Sequence, residues 1–332
     1  MKVVVTGATG FVGGALVRAL LAEGHVVVGV KRPFRLRSVQ ASSPAPTLQH
    51  SNLTWATADV TDPTSLRGLF AGADWLIHAA GMLGQAGVPE SAYLKLHEQG
   101  TNHVLTEATR ADVRRVLYVS SPGVLGPISG PPADETAPLA PSNPYERSKA
   151  AAEMVAQVHA KAGLPVIIAR PEFIYGPTDL HVLGLFKAVR DGRFFTIDGG
   201  QYTCHPTYID DAVAGMLLAL QDGRPGHIYH ITGPQPVTFR ELGQTIAAAL
   251  GVPPPRLNLP RWLAWLGAAA LEVGLGPLKK QPPLSRTGVA FFSEDRRFSW
   301  QKAHSELGYT PQFDLARGVA KTVAWYRTNG LV

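Results

Sequence analysis

The chain has 332 residues, 45% apolar and 17% charged, which excludes a disordered or fibrous protein and suits one large domain plus a smaller one. A formal charge of +6 raises nucleic acid as a partner, but only Lys31-Arg32-Pro33-Phe34-Arg35-Leu36-Arg37 is dense, and a small phosphorylated ligand explains that run as well. Cys204 is the only cysteine, so an internal disulfide and a cysteine-built metal site are both excluded.

The amino terminus, Met1-Lys2-Val3-Val4-Val5-Thr6-Gly7, runs straight into a strand and a glycine turn. It lacks the apolar stretch and cleavage site of a secretory signal, so the expected compartment is the cytoplasm. Short Val/Ile/Leu runs at 2–6, 26–30, 53–57, 75–78, 115–120 and 166–169 alternate with helical periodicity at 11–23, 63–71, 90–111 and 145–162. This predicts an α/β fold, a doubly wound parallel sheet of Rossmann type.

After Pro171, Pro, Gly and aromatic residues become dense and Pro253-Pro254-Pro255 breaks regular alternation. Residues 1–171 are therefore expected to form the nucleotide-binding domain, rejoined by 205–232 through a strand-like run at 227–232. Residues 172–204 and 233–332 form a smaller, discontinuous substrate lobe in this reading. The stretch 259–278 carries Trp262 and Trp265 but is interrupted by Arg261, Glu272 and glycines, short of the roughly 20 unbroken apolar residues of a membrane span. It is predicted to be a buried helix lining an apolar pocket, not a membrane anchor.

Two segments carry chemistry. In Thr6-Gly7-Ala8-Thr9-Gly10-Phe11-Val12-Gly13, a strand meets a helix whose unpaired N–H groups and dipole favour a pyrophosphate. Gly7 suits the tight turn, Gly10 lets backbone approach phosphate, and Gly13 lets helix and strand pack closely. In Tyr145-Glu146-Arg147-Ser148-Lys149, positions four apart share a helical face. A phenol titrates near ~10, and a neighbouring ammonium is expected to lower that value, which would fit Tyr145 for general acid/base work. None of the eleven histidines falls at a ligand spacing, so no metal site is predicted, and a Gly-x-Ser-x-Gly elbow is missing.

These segments recur here with Asp59-Val60, His78-Ala79-Ala80-Gly81, Ser120-Ser121 and Arg170-Pro171-Glu172-Phe173-Ile174-Tyr175-Gly176-Pro177. In that order and spacing the chain resembles the extended short-chain dehydrogenase/reductase family over nearly its whole length. The resemblance implies that Ser121, rather than its neighbour Ser120, hydrogen-bonds the substrate oxygen. Tyr145 would exchange the proton, and Lys149 would bind the nicotinamide ribose. It also implies that Asp59 and Val60 meet the adenine, while Ala79, Ala80, Gly81, Pro171 and Phe173 line the cofactor.

Phe173 stands where nucleotide-sugar enzymes of the family carry Asn, and Cys204 where they carry Arg, so both diphosphate ligands are missing. His97 replaces a frequent Asn. The second half, with His205-Pro206-Thr207-Tyr208-Ile209-Asp210-Asp211 and Leu307-Gly308-Tyr309-Thr310-Pro311, is similar to the branch of 3β-hydroxysteroid dehydrogenases and dihydroflavonol reductases.

NAD-binding folds usually end the second strand with an acid. Here Lys31 and Arg32 follow it instead, and a guanidinium suits a 2′-phosphate. NADP(H) is the expected cofactor, with Arg32 its main contact. NAD(H), with a merely solvated basic loop, is the alternative. The expected activity interconverts a carbonyl and an alcohol on a fairly apolar small molecule held by Phe173, Ile174, Tyr202 and Trp262. An NAD-dependent nucleotide-sugar epimerase/dehydratase and a non-catalytic dinucleotide sensor are the rivals. A homodimer through 90–111 and 145–162 is expected, as in the family.

Overall fold

A computed structural model describes residues 1–33, 48–275 and 284–332. Arg35 and Arg37 of the basic run, and residues 276–278 of the apolar stretch, lie outside the described residues. Seven strands form the central sheet in the order Ile228–Ile231, Val166–Pro171, Arg115–Val119, Trp75–His78, Lys2–Thr6, Val26–Lys31, Leu53–Thr57. Every neighbouring pair is parallel. The chain winds outward from Lys2–Thr6 in one direction and then the other, so the topological switch lies between Lys2–Thr6 and Trp75–His78.

Both faces of this sheet are covered, which is why its strands read as unbroken apolar runs. Val3, Val5, Ile77, Leu117 and Ile167 pack on one face with Leu16 and Leu20 of helix Phe11–Ala22 and Met216 and Leu220 of helix Ile209–Asp222. Val4, Leu76, Val116 and Ile168 pack on the other with Val104, Leu105, Ala152 and Ala156. The strand expected at 227–232 supplies one edge, beside Val166–Pro171.

Two expectations fail locally. The helix expected at 63–71 is only the 3-10 turn Pro63–Leu66, because the chain turns left-handed at Gly68 (φ 71°). The helix expected at 90–111 is continuous through Glu90–Leu94, Lys95–Gln99 and Gly100–Arg110, but its middle section is a wider π-type turn.

Helix Arg261–Leu275 is not buried as expected. Ala264 and Ala268, four residues apart, form a narrow small-residue edge against Ile197 and Val289. That close approach turns the large side chains outward, leaving Trp262 65% and Trp265 46% exposed. Among the described residues no helix is long and apolar enough to cross a membrane.

Candidate active site

The glycine turn lies at the switch point. Gly7 has φ +72°, and a Cβ there would sit 2.6 Å from the Ala79 carbonyl oxygen; a Cβ on Gly13 would sit 2.2 Å from that of Gly7. Gly10 caps helix Phe11–Ala22 without any side-chain hydrogen bond to its first N–H groups. A side-chain-free cradle over open helical donors fits a dinucleotide pyrophosphate. Thr9 and Gly10 are exposed, and Phe11 and Val12 half-buried.

Polar contacts fix the walls of this crevice. The His78 ring bridges the hydroxyls of Thr6 (2.7 Å) and Thr101 (3.1 Å), and Ala80 N–H donates to the Thr6 hydroxyl at 3.3 Å. The Ala79-Ala80-Gly81 loop is thereby tied to the first strand. Asp59, just after strand Leu53–Thr57, accepts from Thr61 N (3.0 Å) and Thr61 Oγ1 (2.8 Å). The Val60 side chain turns into the core, where it lies beneath Gly100. Lys31 and Arg32, at the end of strand Val26–Lys31, are exposed.

Tyr145, the expected acid/base group, sits on helix Pro144–Lys161, which Asn143 caps by accepting from Glu146 N at 3.0 Å. Lys149 is buried one turn after Tyr145, and its Nζ donates to the Val119 carbonyl (2.7 Å) while lying 4.9 Å over the Tyr118 ring. Ser121 follows strand Arg115–Val119, and its side chain lies near enough to the Tyr145 phenol to favour the ionised form. Ser120 points away and donates to Glu153 at 2.7 Å. The geometry thus sets Ser121, not Ser120, beside the phenol.

Electrostatics correct one expectation. Burial, then the Glu172 and Glu146 carboxyls, push the Tyr145 phenol up rather than down, although Ser121 opposes them. Burial also lowers Lys149 to about 8, against the pull of Glu153. Desolvation is the leading cause in both groups, and it favours the neutral form of each.

His97 joins the two halves of the site, and its exchange for a frequent Asn was the one signal the sequence offered. Met82 N–H donates to His97 Nε2 (3.0 Å), so the proton resides on Nδ1, which donates to Ser148 Oγ (2.8 Å); Ser148 in turn donates to the Tyr145 carbonyl (2.7 Å). An Asn side chain offers the same acceptor and donor, which accounts for the exchange.

Burial holds four histidines neutral: it drives His78, His97 and His230 down to about 3 and His205 to about 4. Each gains a proton on unfolding below the ordinary 6.5, so its contribution is whole above that value and is lost as pH falls toward the folded value. Glu172 and Asp179, raised by burial to about 7 and about 6, offset part of this. We expect the urea midpoint to drop between about pH 7 and about pH 5, with ~1.4 kcal/mol per histidine per pH unit as the ceiling. A flat profile would contradict neutral burial.

Tyr145 lines a cleft of about 350 Å³ with the 84–88 loop, Tyr93, Asn143, Pro144, Trp265, Glu272, Arg286 and Thr287. Tyr93 fastens the loop by accepting from Gln85 N at 2.7 Å. Trp265 is in this wall and Trp262 is not, because Trp262 faces solvent on the helix anchored by Ala264 and Ala268. Helical phase relative to those alanines was the available signal.

The other expected substrate contacts are not brought to this cleft. Tyr202 packs on the main core and its hydroxyl reaches Asp198 at 3.4 Å. Ile174 pairs with Thr207. Phe173 takes φ 34° after the buried Pro171 and packs edge-on against Phe291, ring centres 5.5 Å apart. A larger cavity of about 420 Å³, bordered by Asp134, Glu135, His227 and Lys302, contains none of the site residues.

Fold and site together define a Rossmann-type, dinucleotide-dependent enzyme of the extended short-chain dehydrogenase/reductase class. The chain belongs to the NAD dependent epimerase/dehydratase family, whose sequence profile matches residues 3–232. It is 30% identical to a 2-alkyl-3-oxoalkanoate reductase of Stenotrophomonas maltophilia (strain K279a), over 98% of this chain and 99% of that one. A dTDP-glucose 4,6-dehydratase of Actinoplanes sp. (strain ATCC 31044 / CBS 674.73 / SE50/110) is also 30% identical, over 99% and 98%. Among solved structures, DesIV, a dTDP-glucose 4,6-dehydratase from Streptomyces venezuelae with NAD and TYD bound, superposes with a TM-score of 0.80 at 29% identity, covering 99% of this chain and 98% of its own.

Proposed function

We propose that the protein is an NADP(H)-dependent reductase of a ketone or aldehyde on a fairly apolar small molecule, or the alcohol dehydrogenase of the reverse reaction. The observation that carries this reading is the placing of the Tyr145 phenol beside Ser121 and one helical turn from a buried Lys149. A phenol held in its acid form is a proton donor, as carbonyl reduction requires. The S. maltophilia relative is named a reductase of an oxo compound, which supports the same direction.

When bound, the nicotinamide supplies or accepts the hydride. The chain does the rest. The Gly7–Gly13 turn and its open N–H groups hold the pyrophosphate, Asp59 and the backbone at Val60 meet the adenine end, and Arg32 with Lys31 meets the ribose phosphate. Ala79, Ala80, Gly81, Pro171 and Phe173 line the crevice. Ser121 orients the substrate oxygen, Tyr145 delivers its proton there, and Lys149 holds the nicotinamide ribose and balances charge on the phenolate left behind.

In this reading the enzyme works in the cytoplasm as a homodimer and binds no nucleic acid. Exposed Met154 and Val158 on helix Pro144–Lys161 support the dimer. A second reading, NAD-dependent nucleotide-sugar dehydratase or epimerase, is favoured by the names of the Actinoplanes and Streptomyces relatives. Against it, Cys204 is fully buried and Phe173 joins an aromatic cluster, so neither offers a diphosphate ligand.

Cofactor titration tests the choice. NADPH is expected to bind more tightly than NADH, and Arg32→Ala to weaken NADPH about tenfold or more. Tighter NADH binding that ignores Arg32→Ala would remove the cofactor assignment.

A further inference from the structure

The mouth of the catalytic cleft already binds a carboxylate. Glu272 accepts from Arg286 Nε at 2.7 Å and from the Arg286 backbone N–H at 2.8 Å, one oxygen to each. The Arg286 guanidinium also lies over the Trp265 ring, 5.8 Å from its centre. All three residues share the Tyr145 cavity. Packing alone joins the elements they sit on, because Ala264 and Ala268 of one helix already meet Val289 of the other. The Arg286 side chain is 55% exposed and that of Glu272 19%, so the pair meets water from the arginine side, where a second carboxylate can approach the guanidinium.

We infer that Arg286 is a receptor for a substrate carboxylate and that Glu272 is the internal group such a substrate displaces. The inference rests on the reductase reading and narrows it to a class: a carbonyl compound with an apolar chain and a carboxylate within one cavity's length of the carbonyl. The carbonyl oxygen goes to Ser121 and Tyr145, and the acid to the fork formed by the Arg286 side chain and N–H. The chain leaves across Trp265 toward the exposed Trp262 and Leu266. An arginine stacked on an indole at the rim gives both parts of such a molecule a surface.

The test uses 3-oxodecanoate and its methyl ester, which share chain and carbonyl and differ by one charge, with NADPH as reductant. The wild-type protein is expected to prefer the acid in kcat/KM. Arg286→Ala should reduce the acid-over-ester preference about 10- to 100-fold through KM, and Glu272→Gln should increase it. Calorimetric titration with decanoate, which has no ketone to reduce, reads the receptor without turnover and should lose affinity in Arg286→Ala by a similar factor. Equal changes for acid and ester, or decanoate affinity untouched by Arg286→Ala, would overturn the inference. Ester reduced at an Arg286-independent preference keeps the reductase and rejects the receptor. Arg286-dependent decanoate binding with neither ketone reduced keeps the receptor and rejects the reductase.

Discussion

Replacing Tyr145 with Phe is expected to lower kcat for carbonyl reduction about 10²- to 10⁴-fold while cofactor affinity changes little. The substitution deletes one hydroxyl, the group beside Ser121 that is held in its acid form. It preserves the ring, which packs edge-on against His97 (5.8 Å) and Tyr93 (6.2 Å), so helix Pro144–Lys161 keeps its seat. Single-turnover oxidation of bound NADPH isolates the chemical step from product release. A variant that keeps the full rate would take Tyr145 out of the chemistry and with it the proposed mechanism.

The largest effect on stability is expected at Glu153. Its carboxylate is fully buried and accepts from Ser120 Oγ (2.7 Å), Arg170 Nε (3.0 Å) and Arg170 Nη2 (2.5 Å), while Arg170 is 2% exposed and also meets His230 Nε2 at 3.3 Å. Glu153→Ala leaves a buried guanidinium without its hydrogen-bonded carboxylate and with only the less direct charge of Glu135 nearby, which costs about 3–5 kcal/mol. Arg170→Met combined with Glu153→Ala removes both charges and should recover much of that loss. Urea denaturation measures it. A single-variant loss below about 1 kcal/mol would show that water or another group compensates Arg170.

The same network explains a limit of sequence reading. Ser120 and Ser121 are adjacent and chemically identical, and no period separates them. Strand Arg115–Val119 ends one residue earlier than the pattern suggested, so Ser120 turns toward Glu153, 33 residues away, and Ser121 toward Tyr145, 24 residues away. Trp262 and Trp265 differ in helical phase on one helix. Both are large and apolar, and the partner of Ala264 and Ala268 decides which of them reaches the cleft.

What the sequence determined by itself was whatever local geometry enforces. A strand, a glycine turn and a helix start in immediate succession leave a cradle of open N–H groups, and a phenol four residues before an ammonium shares its helical face. The alternation of apolar runs with helical periods likewise implied the parallel sheet. Only the tertiary structure decided the buried carboxyl surroundings that push the Tyr145 phenol up, the bridging role of His97 and the Glu272–Arg286 pair in the Tyr145 cleft. Those depend on which distant groups burial brings together and strips of water, and desolvation is a property of the packed interior that no spacing along the chain records.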